Sequence, residues 1–282
     1  MTILQAIVLA IVEGLTEFLP ISSTGHMILA QGIMGMESDG YIRAFTVMIQ
    51  FGAILSVLVL YWKRFFSATA APSMTFRGKV LTNRWKRLGY FYLSLIVALV
   101  PAMVIGLLFE SYIDELLSNV SIVAVMLLLG GIFMLFIDRI FSAKGKEHPT
   151  LLDSFFIGCF QVLAMVPGVS RSMATIVGGM QQGLSRKSAA EFSFFLAVPT
   201  MLGATLLKAY KLYKDSGMEI FRDNATTLIL GNIIAFLVAM AAIRFFINYL
   251  TKYGFKLFGY YRIVVGAVIL LLMALNVPLS VA

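Results

Sequence analysis

Two short polar segments interrupt a chain that is otherwise apolar, and they limit its fold more than any other feature. The first, Glu13–His26, reads EGLTEFLPISSTGH. The second, Met165–Thr175, reads MVPGVSRSMAT. Apolar residues flank both segments on either side. Charged side chains are costly at membrane depth and mark functional sites there. We therefore interpret the two segments as parts of one site.

The composition is that of a membrane protein. The chain is 60% hydrophobic and only 13% charged, with a mean hydropathy of +0.92, whereas soluble domains are about 25% charged. This composition therefore predicts an all-α polytopic membrane protein. The net charge of +8 is explained by basic loops at an anionic leaflet and does not indicate a nucleic-acid partner. The single cysteine, Cys159, excludes an internal disulfide.

Eight apolar regions fall into two kinds. A helix needs roughly 20 apolar residues to cross a bilayer. Six stretches are long enough, namely 43–62, 88–109, 119–137, 190–209, 226–247 and 258–277. The other two, 2–34 and 152–184, carry a proline followed by Ser and Gly near the middle, and each half is too short to cross. We predict two re-entrant helical hairpins, which are tolerated where the broken backbone lies in protein or lines a wet cavity.

The two hairpin regions are related by an internal repeat. A shift of 147 residues places Pro20 on Pro167 and Ser23 on Ser170. Each copy then holds one hairpin and three spans. Because three is odd, the second copy must be inserted upside down, as in inverted-topology repeats. We predict a single membrane domain, 1–282, made of the copies 1–140 and 150–282.

The basic residues predict the orientation. Four loops on one face hold 15 Lys and Arg, and the opposite face holds five. Those four loops are 63–87, 138–152, 185–189 and 248–262. Cytoplasmic loops are enriched in Lys and Arg. The termini and the mouth of the first hairpin are therefore expected outside, with 110–115 as an acidic outer loop.

The first polar segment supplies two carboxylates. Glu13 and Glu17 are spaced i,i+4 and share a helix face. Two close carboxylates repel unless a cation lies between them, and oxygen ligands suit Mg²⁺ or Ca²⁺. The alternative is a solvated pair at the outer face. We favour a metal site.

Hydroxyls and a histidine follow the acids. Ser22, Ser23 and Thr24 come after the proline, so they can cap the next helix or bind an anion at its N-terminus. His26 lies i+3 from Ser23. A serine beside a base is a nucleophile arrangement, and a histidine can equally protonate a leaving group.

The second polar segment supplies a cation. Arg171 presents a planar fork that suits phosphate. Ser170, Ser172 and Thr175 surround it in sequence and are candidate pyrophosphate ligands. The alternative role for Arg171 is a salt bridge to a carboxylate of the first segment. Outside both segments, Gln50, Gln161, Asn232 and Asn248 are interpreted as interhelical hydrogen-bonding residues.

The two segments resemble the signature motifs of the bacterial undecaprenyl-pyrophosphate phosphatases, also called bacitracin-resistance proteins. The resemblance covers essentially the whole chain and includes the run FTVMIQFG at 45–52. It implies a plasma-membrane enzyme that hydrolyses undecaprenyl pyrophosphate to undecaprenyl phosphate and phosphate. That reaction recycles the lipid carrier of peptidoglycan synthesis and confers bacitracin resistance. It also implies a divalent metal and an active site open to the outer face.

The residue roles follow as a hypothesis. Glu13 and Glu17 hold the metal, and Glu17 or His26 activates a nucleophile that is Ser23, His26 or water. A second set stabilises the pyrophosphate. It consists of Ser22, Thr24, Ser170, Arg171, Ser172 and Thr175.

Three alternatives stay open at the sequence level. Inverted repeats are common in transporters, so a carrier or flippase for a lipid phosphate or small anion is the second functional hypothesis. The phosphatidic-acid-phosphatase superfamily shares a Ser-Gly-His element, but its chemistry needs a second histidine, and His148 falls in a cytoplasmic loop. A homodimer could pack through Gly130 and Gly131, although packing within one chain explains them as well.

Overall fold

The computed structural model describes residues 1–36, 40–67, 75–76, 79–80, 82–117, 119–277 and 279, and helices dominate them. The helices of the first half are α1 (Ile3–Thr16), α2 (Ser23–Ile33), α3 (Gly40–Met48), α4 (Gln50–Leu60), α5 (Trp62–Phe66), α6 (Arg84–Leu108), α7 (Glu110–Leu117) and α8 (Val120–Ile140). Those of the second half are α9 (Leu151–Leu163), α10 (Arg171–Gln181), α11 (Arg186–Ser216), α12 (Glu219–Asp223), α13 (Ala225–Tyr253) and α14 (Lys256–Ala274). Two short antiparallel strands, β1 (Thr75–Phe76) and β2 (Lys79–Val80), lie between α5 and α6.

The all-α membrane fold is confirmed. Within the described residues, six helices or helix pairs are long and apolar enough to cross a membrane: α3 with α4, α6, α8, α11, α13 and α14. The first of these is interrupted at Ile49. Helices α11 and α13 run past the predicted spans until Gly217 and Gly254, whose positive φ angles end them. The predicted acidic outer loop is instead the helix α7.

Two helical hairpins are too short to cross. Helices α1 and α9 have 14 and 13 residues, and α2 and α10 have 11 each. At 1.5 Å per residue these limbs reach about 16–21 Å, less than the roughly 30 Å hydrocarbon core. Capping boxes at Thr2 and Thr150 open the first limbs, and Gly35 and Gly183, both with positive φ, follow the second limbs.

The helix caps correct the register of the repeat. Ser22 and Ser170 each precede the second limb of their hairpin, with φ angles of 69° and 77°. Since Thr2 pairs with Thr150 in the same way, the structural copies are 148 residues apart, not 147. Ser22 is therefore the equivalent of Ser170. Ser23 corresponds to Arg171, because each is the first residue of its helix.

The hairpins pack reciprocally into the two halves. The first limb α1 lies against α13, and α9 lies against α6. Small residues permit these close approaches, since a Cβ on Gly14 would lie 2.8 Å from the Ala235 carbonyl oxygen. Helix α11 carries buried phenylalanines, among them Phe194, which contacts Phe18 edge to face. This packing brings the two hairpin breaks to the same place.

Gly130 and Gly131 lie in the contact between α8 and α14. A Cβ on Gly131 would meet the Gly259 carbonyl oxygen at 2.8 Å, and one on Gly130 would meet the Arg262 guanidinium. Both glycines therefore serve packing inside one chain and give no basis for a dimer.

Candidate active site

The breaks of both hairpins open into one polar chamber of about 200 Å³. Its lining residues are Glu17, Ser22, Ser23, Thr24, Gln50, Ala164, Pro167, Gly168, Ser170, Arg171 and Met201. The first residues of α2 and of α10 are both among them. Helix N-termini favour anions because their free N–H groups and dipole are positive. Two such ends facing one small space make it suited to a phosphate group.

Glu17 is the centre of the hydrogen bonds in the chamber. The Ser23 hydroxyl donates to Glu17 Oε2 over 2.7 Å, and Arg171 Nη2 donates to Oε1 over 3.2 Å. The other fork nitrogen, Arg171 Nη1, donates to the Ser193 carbonyl oxygen over 3.1 Å. The side chains of this ion pair are only 12% and 9% exposed. The Glu17 carboxylate thus occupies the anion position of Arg171.

Glu13 lies beneath this pair. Its side chain is buried, and its carboxyl interacts electrostatically with the Glu17 carboxyl and the Arg171 guanidinium. The Glu13 Oε1 atom has no hydrogen-bond partner within the described part of the chain. Arg171 offsets the negative charge of only one of the two adjacent carboxylates. The remaining negative charge and the unpaired Glu13 Oε1 atom are therefore suited to a bound divalent cation that also contacts phosphate. Among the described residues, no three His, Cys, Asp or Glu side chains lie close enough together to hold a metal ion. Phosphate or water oxygens would have to complete the coordination.

Two predicted pyrophosphate ligands lie behind the chamber wall. Ser172 is fully buried, and its hydroxyl donates to the Leu19 carbonyl oxygen over 2.7 Å. Thr175 is 1% exposed and contacts the Arg171 carbonyl oxygen at 2.8 Å and the Ser193 hydroxyl at 2.7 Å. Both hydroxyls are bonded to protein groups, and neither residue lines the chamber. Ser172 ties the hairpins together and Thr175 supports Arg171.

His26 points away from Ser23. Its Nδ1 lies 2.8 Å from the Ser22 carbonyl oxygen, and its Nε2 lies 2.8 Å from the Tyr261 hydroxyl. A carbonyl oxygen only accepts, so Nδ1 carries the proton and, in a neutral ring, Nε2 accepts from Tyr261. The Ser23 hydroxyl donates to Glu17, so Glu17, and not His26, is the candidate base within hydrogen-bond distance of it.

An apolar groove of about 810 Å³ begins beside His26. It runs between α1, α2, α13 and α14. Its lining residues are Val8, Val12, Leu15, Thr16, Leu19, Ile21, His26, Leu29, Ala30, Ile33, Met34, Ala241, Ala242, Phe245, Leu257, Phe258 and Tyr261. His26 and its neighbours therefore separate a polar chamber from an apolar one.

Arg262 is a site residue that the sequence reasoning misplaced. It was counted with a basic loop, but it lies in α14 and is fully buried. Its guanidinium donates to the carbonyl oxygens of both hairpin turns, namely those of Pro20, Gly168 and Val169, and to two carbonyls of α8. The sequence feature that could have indicated its burial is its position directly before the apolar run IVVGAVILLLMA.

Family comparisons agree with this geometry. The sequence model of the family described as bacitracin resistance protein BacA matches residues 6–268. The chain belongs to this family. It is 64% identical to the undecaprenyl-diphosphatase of Porphyromonas gingivalis strain W83, over the full length of both chains. The undecaprenyl-diphosphatase of Flavobacterium psychrophilum is 53% identical over 99% of both chains, and that of Bdellovibrio bacteriovorus is 48% identical over 97% of both.

The fold thus brings most predicted site residues of this family member together. The chamber wall holds Glu17, Ser22, Ser23, Thr24, Ser170 and Arg171. Glu13 lies beneath the wall and His26 lies at its edge. Gln50, interpreted above as an interhelical residue, instead lines the chamber. By contrast, Asn232 and Gln161 do bond across helices, to Gly52 and Thr200.

Proposed function

We propose that the protein hydrolyses undecaprenyl pyrophosphate to undecaprenyl phosphate and inorganic phosphate. One observation carries this proposal. A polar chamber built from two helix N-termini, an arginine and two carboxylates adjoins a long apolar groove. A lipid pyrophosphate needs both environments in that order, and the relatives named above are called undecaprenyl-diphosphatases.

The polarity of the chamber and of the groove determines how the substrate is oriented in this proposal. The pyrophosphate lies in the chamber, and the isoprenoid chain lies along the groove and enters from the surrounding membrane lipids. Arg171, Ser170, Ser22 and Thr24 hold the phosphate oxygens. Arg171 exchanges its carboxylate partner for phosphate, and this exchange frees Glu17 to act as a base.

Ser23 attacks the terminal phosphorus in this proposal. Its hydroxyl proton passes to Glu17, to which it already donates over 2.7 Å. The new Ser23 Oγ–P bond forms as the bridging P–O bond breaks, and the electron pair leaves on undecaprenyl phosphate. Glu17 passes its proton to a phosphate oxygen of the departing undecaprenyl phosphate and is a carboxylate again. Water then attacks the phosphoserine, and Glu17 accepts the proton from that water. Glu17 returns this proton to Ser23 Oγ as the Ser23 Oγ–P bond breaks and inorganic phosphate leaves. Rapid-quench detection of phosphoserine at Ser23 supports this order, and its absence during turnover replaces Ser23 with water as the nucleophile.

Glu13 and Glu17 are the residues that would hold Mg²⁺ or Ca²⁺. When bound, the cation neutralises phosphate charge and polarises the P–O bonds. The orphaned Glu13 oxygen supports this assignment. Both carboxylates come from the first hairpin.

The chamber is proposed to open to the outside of the bacterial plasma membrane, with both chain termini outside. The support is the excess of Lys and Arg at the opposite face, together with two copies, 1–140 and 150–282, in opposite orientations. A test uses the single cysteine, Cys159. In a Cys159→Ala background, cysteines added at each terminus should react with an impermeant maleimide in intact cells. Reaction only after lysis overturns the orientation.

Phosphate release by the purified protein separates this function from a carrier or flippase. A carrier needs anion-binding groups that serve both sides, whereas here the second hairpin has no equivalent of Glu13, Glu17 or His26. Release of phosphate from undecaprenyl pyrophosphate, lost with EDTA and restored by Mg²⁺ or Ca²⁺, is the expected result. No release with metal present overturns the proposal.

A further inference from the structure

Tyr261 lies where the apolar groove meets the polar chamber. Its hydroxyl is 2.8 Å from His26 Nε2, and the two ring planes are 6° apart with centroids separated by 5.4 Å. The Tyr261 side chain is 43% exposed and lines the groove with His26. One face of this residue therefore contacts the groove while its hydroxyl contacts a site residue.

The next residue fixes Tyr261 relative to both hairpins. Arg262 donates to the carbonyl oxygen of Pro20 in the first turn and to those of Gly168 and Val169 in the second. These bonds anchor α14 beside the chamber, and the Tyr261 hydroxyl reaches His26 from this anchored helix. The imidazole of His26 is then bonded at both nitrogens, to Ser22 on one side and Tyr261 on the other.

We propose that Tyr261 is a positioning residue that acts through His26, an inference that rests on the proposed function. Its hydroxyl donates to Nε2, which keeps the neutral ring in the tautomer with the proton on Nδ1. It also holds the imidazole at the junction where the pyrophosphate meets the isoprenoid chain. Without the hydroxyl, Nε2 faces an apolar groove without a hydrogen-bond partner, which is unfavourable for a polar acceptor.

A double-mutant cycle of Tyr261→Phe and His26→Ala tests the coupling. Tyr261→Phe keeps the ring in the groove and removes one hydrogen bond, so kcat should fall about five- to tenfold with little change in KM. In the His26→Ala background the same substitution should have no further effect. Tyr260→Phe, an exposed neighbour outside the groove lining, is the matched control and should leave kcat unchanged. An equal fall in both backgrounds, or no fall in either, overturns the proposal.

Nitrogen NMR gives a readout that does not depend on turnover. The chain has only two histidines, so a His148→Ala variant labelled with ¹⁵N-histidine reports His26 alone. Tyr261→Phe should move the Nε2 resonance toward that of a free acceptor and leave the protonated Nδ1 resonance in place. An unchanged Nε2 resonance overturns the proposal. This test also works if His26→Ala has too little activity for the double-mutant cycle. Failure of the wild-type protein to release phosphate would instead overturn the proposed function.

Discussion

In the first hairpin the helix after the break begins with Ser23, and in the second hairpin the equivalent helix begins with Arg171. Both are preceded by a serine with positive φ, and both line the same chamber. The backbone plan is therefore shared while the side chains differ. A fold symmetric in its backbone delivers two helix N-termini to one point, and the sequence then assigns a candidate nucleophile to one and an anion clamp to the other.

The remaining differences follow the same division. At the 148-residue register, Glu13 corresponds to Gln161 and Glu17 to Met165. The Ser170 side chain caps Met173 N–H, whereas the Ser22 side chain makes no cap hydrogen bond. The first turn of α2 is therefore left to bind a ligand, and that of α10 is already satisfied in part. Under the proposed function, the first hairpin therefore supplies the reacting groups and a helix N-terminus that is free to bind, and the second hairpin supplies the binding contact of Arg171.

Glu17→Gln should cause the largest loss of activity among the variants that test this division. The amide cannot accept the Ser23 proton, and loss of a general base typically costs about 10²- to 10⁴-fold in kcat. The measurement is phosphate release from undecaprenyl pyrophosphate by purified protein. Glu191→Gln is the matched control, since Glu191 is also partly buried and near a cation, Lys187 at 3.9 Å, but lies outside the chamber. A Glu17→Gln variant within a few-fold of wild type would remove Glu17 from the chemistry.

Arg171→Lys tests the binding half. Lysine keeps the charge but loses the fork that bonds Glu17 and the Ser193 carbonyl. We expect kcat/KM to fall about 100-fold, the size seen when one donor to developing charge is removed.

Arg186→Lys supplies the control for Arg171→Lys. Arg186 also donates one nitrogen to a carboxylate, that of Asp138, and another to a carbonyl, that of Leu250, and its side chain is 11% exposed. This change should lower thermal stability while leaving KM near wild type. Equal effects of the two substitutions on kcat/KM would show that Arg171 is structural.

Glu13→Gln should change the metal requirement more than the maximal rate. Removing one ligand carboxylate should raise the Mg²⁺ or Ca²⁺ concentration for half-maximal activity about tenfold, while Glu191→Gln leaves it unchanged. Metal titration after EDTA treatment measures it. An unchanged midpoint would place the cation elsewhere.

The sequence predicted the elements better than their contacts. Periodicity and length are local, so the six spans and both hairpins could be located from apolar runs and prolines. The hydrogen-bond partners of His26 and Arg262 could not be predicted. Tyr261 lies far from His26 along the chain, the turn carbonyls lie far from Arg262, and only tertiary packing brings them into contact. The sequence predicts Ser172 and Thr175 as ligands because their hydroxyls are close to Arg171 along the chain. Their hydrogen bonds to Leu19 and Ser193 depend on tertiary packing and cannot be predicted from local sequence.

Ser172→Ala should weaken the tie between the hairpins. It removes the bond from Ser172 to the Leu19 carbonyl oxygen, which keeps the Ile21 N–H as a partner. The expected loss is therefore that of one hydrogen bond, about 0.5–1.5 kcal/mol. Thermal unfolding in detergent measures this loss. Ser94→Ala is the control, because the Ser94 hydroxyl is equally buried but bonds the Phe91 carbonyl of its own helix. Similar losses in both variants would mean that the contact between hairpins adds no stability.

Glycine at the two strained serines should give the smallest effects. Positive φ costs a non-glycine residue about 1–3 kcal/mol, and glycine removes that strain while adding about 0.5–1 kcal/mol of unfolded-state entropy. Ser22→Gly loses no cap hydrogen bond and should be neutral or stabilising by up to about 1 kcal/mol. Ser170→Gly also loses the bonds to Met173 N–H and Ser172, so it should be less stable than Ser22→Gly. The reverse order in thermal unfolding would show that Ser22, not Ser170, carries the structural cap.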